Sequence, residues 1–332
     1  MNGTSKHAND ACLLFDDEPV ESKRGVVRRM MTPTRCEEPV LVPERSWEID
    51  AWCGDPGASV LQDIDGTCHL WYMLKYADGD AEPTAPLSLV AELDEKTRAD
   101  FASMKRYILC YARSQDGIHW EKPDCGIFEY GGSLRNNIVM SARLGGTVIL
   151  DPNAPPEERM KMLLGGGPRI PYIGKGQSKP SKNVYHAIYG ASSPDGVHWR
   201  MTEEPVLPWY TDTTNVVYWD DQRDKYVAFV RWNHGMSYEE GSTVVRDTCF
   251  YRAIGRAESA DFHRFPSPER ILAPSEQLWS PPAEGTDYYN TAAMKYPFAP
   301  DSYFLFISMF SLLLFWRIRV RTEISKRKEG IS

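Results

Sequence analysis

Acidic and amide side chains recur at four places in the chain, and aromatic side chains lie beside them at three of these places. Carboxylates could act there as acid, base or nucleophile, and amides could hydrogen-bond hydroxyl groups. Aromatic rings cover the apolar faces of sugars, so this combination of side chains suits a carbohydrate. Hydrolysis of a glycosidic bond needs two carboxyl groups that flank the bond. The four places are residues 47–55, 134–137, 211–215 and 286–290, and the adjacent aromatic residues are Trp52, Trp209, Tyr210 and Tyr288.

Three aspartates are the candidate catalytic residues: Asp212, Asp287 and, as a third candidate, Asp55. Asp212 and Asp287 hold matched positions at the beginning of predicted inner strands, so we predict that they form the carboxylate pair. Their separation would decide between retention and inversion, and the sequence leaves open which of them is the acid. Single Asp and Asn residues often cap strands, but their recurrence favours a functional role. The candidate substrate-binding residues are Asn137, Asn215, Asn290, Arg135 and Tyr288.

The sequence predicts no cofactor and no metal site. Its histidines lack metal-ligand spacing, and it contains no glycine-rich phosphate loop. A channel rich in Asp and Asn oxygens could hold Ca²⁺, although the sequence singles out no ligand for it. The seven cysteines include no Cys-x-x-Cys pair, which predicts free thiols rather than disulfides or a zinc site.

Charge and hydropathy restrict the expected partners and location. The chain has 38 basic and 46 acidic side chains, a net charge of −8, which argues against a nucleic-acid partner. The first ten residues are polar and lack the apolar stretch of a signal peptide, so we expect a cytoplasmic protein. The apolar run over 303–316 is shorter than the roughly 20 residues needed to cross a bilayer, so no membrane partner is predicted.

An internal repeat indicates the elements that must position the candidate residues. Residues 114–120 recur as 193–199 with five of seven positions identical, and a degraded copy occupies 259–265. The Asp-Gly pair suits a tight turn, and the Ser and Asp side chains can bond nearby backbone N–H groups. We therefore interpret Asp116 and Asp195 as turn formers rather than catalysts, and we expect Trp120 and Trp199 to pack between sheets.

A second repeat places a short apolar strand after an Asp-containing turn, with another strand before each turn, including one over 138–150. Together the repeats define four-stranded units, which form a β-propeller when arranged around an axis. We predict an N-terminal segment over 1–45, an all-β propeller domain over 46–310 and an atypical basic tail over 311–332. Blades are expected at about 55–130, 137–207, 212–272 and 287–310, with an inserted helix over 86–104 and loops over 165–182 and 233–246.

Four runs carry a family resemblance: 111–123, 135–139, 212–215, and 287–290 with 295–297. They resemble bacterial proteins of the five-bladed β-propeller glycosidase superfamily, which are similar to the N-terminal domain of glycoside hydrolase family 32. The resemblance covers residues 12–308 and implies a five-bladed-type propeller, truncated here within blade four, with glycoside hydrolase activity. The Arg-Asp-Pro and Glu-Cys motifs of the fructan-cleaving members do not occur, so fructan specificity is not implied.

The leading hypothesis is a glycoside hydrolase that acts on an unknown oligosaccharide through paired carboxylates in the propeller channel. Three alternatives stay open: a non-catalytic carbohydrate-binding propeller, a sialidase-like enzyme (since the repeated turn resembles the sialidase Asp-box), and an interaction scaffold. An incomplete ring would leave open edges and apolar faces on blades one and four. The sequence therefore also predicts self-association through these edges.

Overall fold

A computed structural model describes residues 22–27, 29, 32, 34–49, 51–52, 58–76, 107–141, 146–165, 188–202, 204–207, 209, 214–233, 252–273, 286–296 and 302–311. Within these residues the fold is nearly all-β: one short helix, α1 (Ser46–Ile49), and a 3-10 turn, Pro156–Glu158, accompany fifteen strands.

The strands form four antiparallel sheets in chain order. The first sheet contains β1 (Ala51–Trp52), β2 (Ala58–Gln62), β3 (Cys68–Tyr76), β4 (Tyr107–Ser114) and β5 (Ile138–Ser141). The second contains β6 (Val148–Leu150), β7 (Met160–Gly165), β8 (Ile188–Ser193) and β9 (Arg200–Met201). The third contains β10 (Val216–Asp220), β11 (Lys225–Asn233), β12 (Arg252–Ser259) and β13 (Glu269–Leu272). The fourth contains β14 (Thr286–Lys295) and β15 (Tyr303–Ser311).

The four sheets are the blades of a β-propeller, and the predicted all-β fold is confirmed. Strands β2, β6, β10 and β14 lie innermost and line a common central cavity. Blade four has two strands within the described residues. The bounds predicted for the N-terminal segment, the propeller domain and the tail stay predictions.

The repeated Ser-Asp turns have the predicted structural role. In the first copy, the backbone N–H of Gly117 donates to the Ser114 hydroxyl at 2.9 Å, and the N–H groups of the next two residues donate to Asp116 Oδ1 at 2.8 Å. The second copy repeats these bonds around Ser193 and Asp195. Gly117 and Gly196 have φ of 72° and 77°, a conformation that favours glycine. The two aspartates are therefore turn formers, as predicted.

Each blade packs on the next through an apolar core. Between blades one and two the buried residues include Trp71, Met73, Leu109, Met160 and Met162. Between blades two and three they include Leu163, Leu207, Val217, Ala228 and Phe262. Between blades three and four they include Val216, Phe229, Ile254, Tyr288 and Ala293. Sheet-on-sheet burial of apolar surface is thus the main force that joins neighbouring blades.

An aspartate at the end of each of the first three inner strands, or directly after it, adds a polar contact to the following blade. Asp63 of blade one accepts from the Arg159 guanidinium of blade two, with Nη1 and Oδ1 at 3.0 Å. Asp151 of blade two accepts from the Tyr226 hydroxyl of blade three. Asp220 of blade three accepts from Lys295 and Tyr303 of blade four, the first at 2.8 Å. These inter-blade carboxylates are buried and serve assembly of the propeller.

The prediction of one strand over 138–150 is wrong. Residues Ile138–Ser141 pair with β4 at the outer side of blade one, whereas Val148–Leu150 begin blade two as its inner strand. Apolar residues continue through both strands, so composition alone did not show that the chain changes sheets between them. The predicted helix over 86–104 and nearly all of the predicted loops over 165–182 and 233–246 lie outside the described residues.

No helix in the described part of the chain is both long enough and apolar enough to cross a membrane.

Candidate functional site

Polar clusters lie at both ends of the inner strands. We refer to the end at which β14 begins as the strand-start end, and to the end with the inter-blade aspartates as the turn end. Asp287 lies at the first and Lys295 at the second. Eight residues of extended chain separate them by about 26 Å. Of the predicted catalytic residues, Asp287 lies at the strand-start end, whereas Asp55 and Asp212 lie outside the described residues.

Asp287 is a buried carboxylate held by one arginine. Its side chain is 7% exposed. Oδ2 lies 2.6 Å from Arg252 Nη1, and Oδ1 accepts from the Arg252 backbone N–H at 2.9 Å. Arg252 begins β12 and lies opposite Asn233, the last residue of β11, so β12 and β14 bring the pair together at the strand-start end. Both oxygens of Asp287 thus accept hydrogen bonds from a cationic residue.

A second arginine joins this cluster through Tyr289. Arg231, 1% exposed, donates from Nε to the Tyr289 carbonyl at 2.8 Å. The guanidinium carbons of Arg231 and Arg252 lie 4.2 and 5.1 Å from the centre of the Tyr289 ring. Trp209 donates from its indole N–H to the Arg231 carbonyl at 3.0 Å. The cluster therefore combines a carboxylate, two guanidinium groups and two aromatic residues.

The remaining candidates of blades three and four lie near this cluster in sequence but differ in surroundings. Asn215 is fully buried, and its carbonyl accepts from the Thr147 N–H of blade two at 3.3 Å. Tyr288 is buried in the core between blades three and four. Asn290 is half-buried on β14 and pairs with Ser308 of β15. The structure brings Asp287, Tyr288 and Asn290 together on one strand.

Arg135 and Asn137 lie elsewhere, on blade one. Arg135 is exposed and pairs with Asp124, with Nε and Oδ2 at 3.2 Å. Asn137 is 1% exposed and donates to the Tyr72 hydroxyl and the Tyr111 carbonyl, each at 2.7 Å. Neither residue is among the described residues that line the central cavity. Their predicted role in substrate binding stays a prediction, as do the roles of the other candidates.

Asn137 belongs to a buried polar network between blade one and α1. The Trp47 indole donates to Asn137 Oδ1 at 2.9 Å, and Tyr72 donates to Glu48 Oε1 at 2.5 Å. Lys122 Nζ lies 2.8 Å from Glu48 Oε2. Burial alone would raise the pKa of Glu48, but the hydrogen bonds from Lys122 and Tyr72 outweigh it and lower that pKa. Glu48 is therefore held as a buried carboxylate.

Sequence reasoning missed Glu48, Lys122 and Arg252. Glu48 follows Trp47 in one of the aromatic and acidic segments, which was a usable signal. Its partner Lys122 is 74 residues away, and Arg252 is 35 residues from Asp287. Pairings over such distances depend on which strands become neighbours, and local sequence does not contain that information.

The central cavity lies toward the turn end and has a volume of about 850 Å³. Its wall is mainly apolar: Val60, Leu61, Val148, Ile149, Trp219 and Met294. Its polar lining includes Asp151, Arg159, Asp221 and Lys295. These charged groups already form the ion pairs that join the blades or, in the case of Asp221, a contact with Lys295. The predicted ring of amides and carboxylates does not line this cavity within the described residues.

The inter-blade carboxylates at the turn end are strongly acidic. The hydrogen bond from Arg159 lowers the pKa of Asp63 to about 2. Burial opposes ionisation of Asp220, but hydrogen bonds from Lys295 and Tyr303 outweigh it and lower its pKa to about 2. Such carboxylates stay ionised near neutral pH and are unsuited to donate a proton.

Within the described ranges, no three His, Cys, Asp or Glu side chains converge as a metal site requires. The hypothesis of a Ca²⁺ ion stays a prediction.

No protein-family model matches the chain, and no curated protein matches it. Solved structures similar to it include a fructofuranosidase variant from Schwanniomyces occidentalis complexed with fructosylnystose, at 12% identity and a TM-score of 0.41. That similarity covers 74% of this chain and 36% of the other. An endo-1,5-alpha-L-arabinanase from Thermotoga petrophila has 12% identity, a TM-score of 0.35 and coverages of 76% and 53%.

A third similar structure is a family 43 beta-xylosidase/alpha-arabinofuranosidase from a compost metagenome, in complex with xylotriose. Its identity is 13%, its TM-score is 0.38, and the similarity covers 81% of this chain and 71% of the other. These similarities assign neither an activity nor a substrate to the chain.

Proposed function

We propose that this propeller is a glycoside hydrolase that binds an oligosaccharide at the strand-start end and cleaves it with Asp287 and Asp212. The observation that carries the proposal is the environment of Asp287. Its carboxylate is buried at the first strand of blade four, and both of its oxygens accept hydrogen bonds from Arg252. Paired carboxylates are the recurring machinery of glycosidic bond hydrolysis.

The two carboxyl groups would have different roles. Both oxygens of Asp287 already accept hydrogen bonds from Arg252, so neither is placed to donate a proton, and Asp287 suits the role of base or nucleophile. The proton for the leaving oxygen would then come from the second carboxyl group, Asp212, with Asp55 as the other candidate. A water molecule would complete hydrolysis, directly in an inverting enzyme or by attack on a glycosyl-enzyme ester in a retaining one.

The neighbouring groups support sugar binding. Tyr289 is half-buried and offers an aromatic ring, while Asn290 on the same strand offers amide donors and acceptors. Arg231 lies against the Tyr289 ring and fixes its backbone through the carbonyl. A rigid ring beside a fixed carboxylate is what orientation of a sugar for reaction requires.

A non-catalytic carbohydrate-binding propeller is the second candidate function. It is favoured by the same contact, because Arg252 already occupies both oxygens of Asp287 and would hold β12 and β14 together even without catalysis. In this case Asp287 would be a structural residue that shapes the site.

Hydrolysis and binding measured together separate the two functions. The wild type would be screened for release of reducing ends from a panel of oligosaccharides, and binding of the same panel would be measured by calorimetry. For a hydrolase, Asp287→Asn and Asp212→Asn should each lower kcat at least about 1000-fold while the oligosaccharide still binds.

Asp221→Asn is the matched control, because Asp221 is an exposed carboxylate at the opposite end of the inner strands. It should leave kcat unchanged. Binding without any release of reducing ends would instead support the non-catalytic propeller. Full activity in both Asp287→Asn and Asp212→Asn would contradict the assignment of the carboxylate pair.

A further inference from the structure

The outer face of blade four presents large apolar side chains to solvent. On this face, Phe306 is 65% exposed and Met294 41%. The opposite face of the same two strands packs on blade three through Tyr288, Ala293 and neighbouring residues. The sheet is therefore apolar on both faces, although among the described residues only the face toward blade three is covered.

The strand composition of this face is unusual for a solvent-exposed sheet. Residues Tyr303–Ser311 contain no charged residue, no glycine and no proline. Natural proteins protect exposed strands with charges, prolines or bulges that discourage contact with other chains. β15 has none of the protective residues, and Phe304 and Phe306 extend the apolar surface with ring centres 6.4 Å apart. The composition matches that of a surface that contacts another protein.

We propose that the outer face of blade four packs against the same face of a second copy of this chain. Two sheets would then stack face to face across a two-fold axis, as the blades themselves do within one copy. Because the face has no charge on β15, it can meet its own image without like-charge repulsion. A partner recognised through opposite charge would need a charged face instead.

The area of the outer face of blade four determines how tightly the two copies should associate. Nine residues of about 3.3 Å each on two strands about 4.8 Å apart give a flat area of roughly 30 by 10 Å. A standard stable interface buries about 800 Å² on each partner. The dimer should therefore be weak and concentration-dependent. Each copy has a net charge of −8, so added salt should strengthen association by screening repulsion between the copies.

Sedimentation velocity of the full chain over about 1–100 µM tests the proposal. The wild type should shift from monomer to dimer with concentration. Phe306→Asp and Phe306→Lys should each weaken dimerisation about tenfold or more, since each places two like charges near the two-fold axis. A mixture of the two variants should recover dimers, because opposite charges then face each other.

Ile64→Asp is the control, because Ile64 is a 93% exposed apolar residue in the first turn of blade one. It should leave the dimer intact, and circular dichroism should show that all variants remain folded. A wild type that stays monomeric throughout, a dimer that survives in Phe306→Asp, or association that salt weakens would each overturn the proposal. If another part of the same chain covered this face, the wild type would stay monomeric at all concentrations.

Discussion

Within the described residues, the outer faces of blades one and four are the two blade faces that no neighbouring blade covers. On blade one, Leu70, Tyr72, Ile108 and Cys110 are buried in a cluster with Trp47 of α1. On blade four, Phe306 remains 65% exposed. The outer face of blade one is thus buried, whereas that of blade four is exposed. The difference is due to α1, which packs on blade one.

The covering of blade one is polar as well as apolar. Trp47 packs on the sheet and donates to Asn137, while Glu48 accepts from Tyr72 and Lys122. Hydrogen bonds of this kind require a fixed geometry, so they specify one docking position for the segment, which apolar contact alone would not do. A short segment can therefore cover the outer face of a propeller blade when a buried polar network fixes its position.

The largest difference in stability between the two faces is expected when one aromatic residue on each is truncated. Trp47→Ala should lower the free energy of unfolding by roughly 3–5 kcal/mol, because Trp47 is 7% exposed and the indole is replaced by a cavity. Phe306→Ala should change it by less than about 0.5 kcal/mol in dilute solution, where the chain is monomeric. Urea unfolding at low protein concentration measures both. Equal effects would mean that the two faces do not differ in packing.

A smaller effect is expected from the charged pair beneath the segment. Lys122→Met should destabilise the chain by about 3 kcal/mol, because it leaves the buried Glu48 carboxylate without its cation while Tyr72 and two backbone N–H groups still donate to it. The double variant Glu48→Gln with Lys122→Met should recover part of that loss. If the single and double variants were equally unstable, an uncompensated charge would not be the cause.

The turns and blades could be predicted from the sequence, whereas the long-range contacts between side chains could not. The repeats at 114–120 and 193–199 predicted the turns and blades, because a Ser-Asp-Gly turn is formed by local hydrogen bonds. Exposed edges and apolar faces were expected on both blades one and four. The face of blade one contradicts this expectation, since its cover depends on contacts such as Lys122 with Glu48, 74 residues apart. The pairing of Asp287 with Arg252 was unpredictable for the same reason.

The smallest effect on stability is expected from the carboxylates that link neighbouring blades, such as Asp63. It separates the contribution of their charge from that of apolar packing. The hydrogen bond from Arg159 lowers the pKa of Asp63 to about 2 from the ordinary value of 3.8. A folded-state pKa below the unfolded one means that the tie stabilises the fold above about pH 4 and that this stability disappears as the pH falls from 4 to 2. The contribution is about 2 kcal/mol, since each pKa unit corresponds to about 1.4 kcal/mol.

Unfolding of the wild type and Asp63→Asn would be compared at pH 5 and pH 2. The variant should be less stable at pH 5 and nearly equal to the wild type at pH 2, whereas a constant difference at both pH values would show that the carboxylate acts through packing rather than charge.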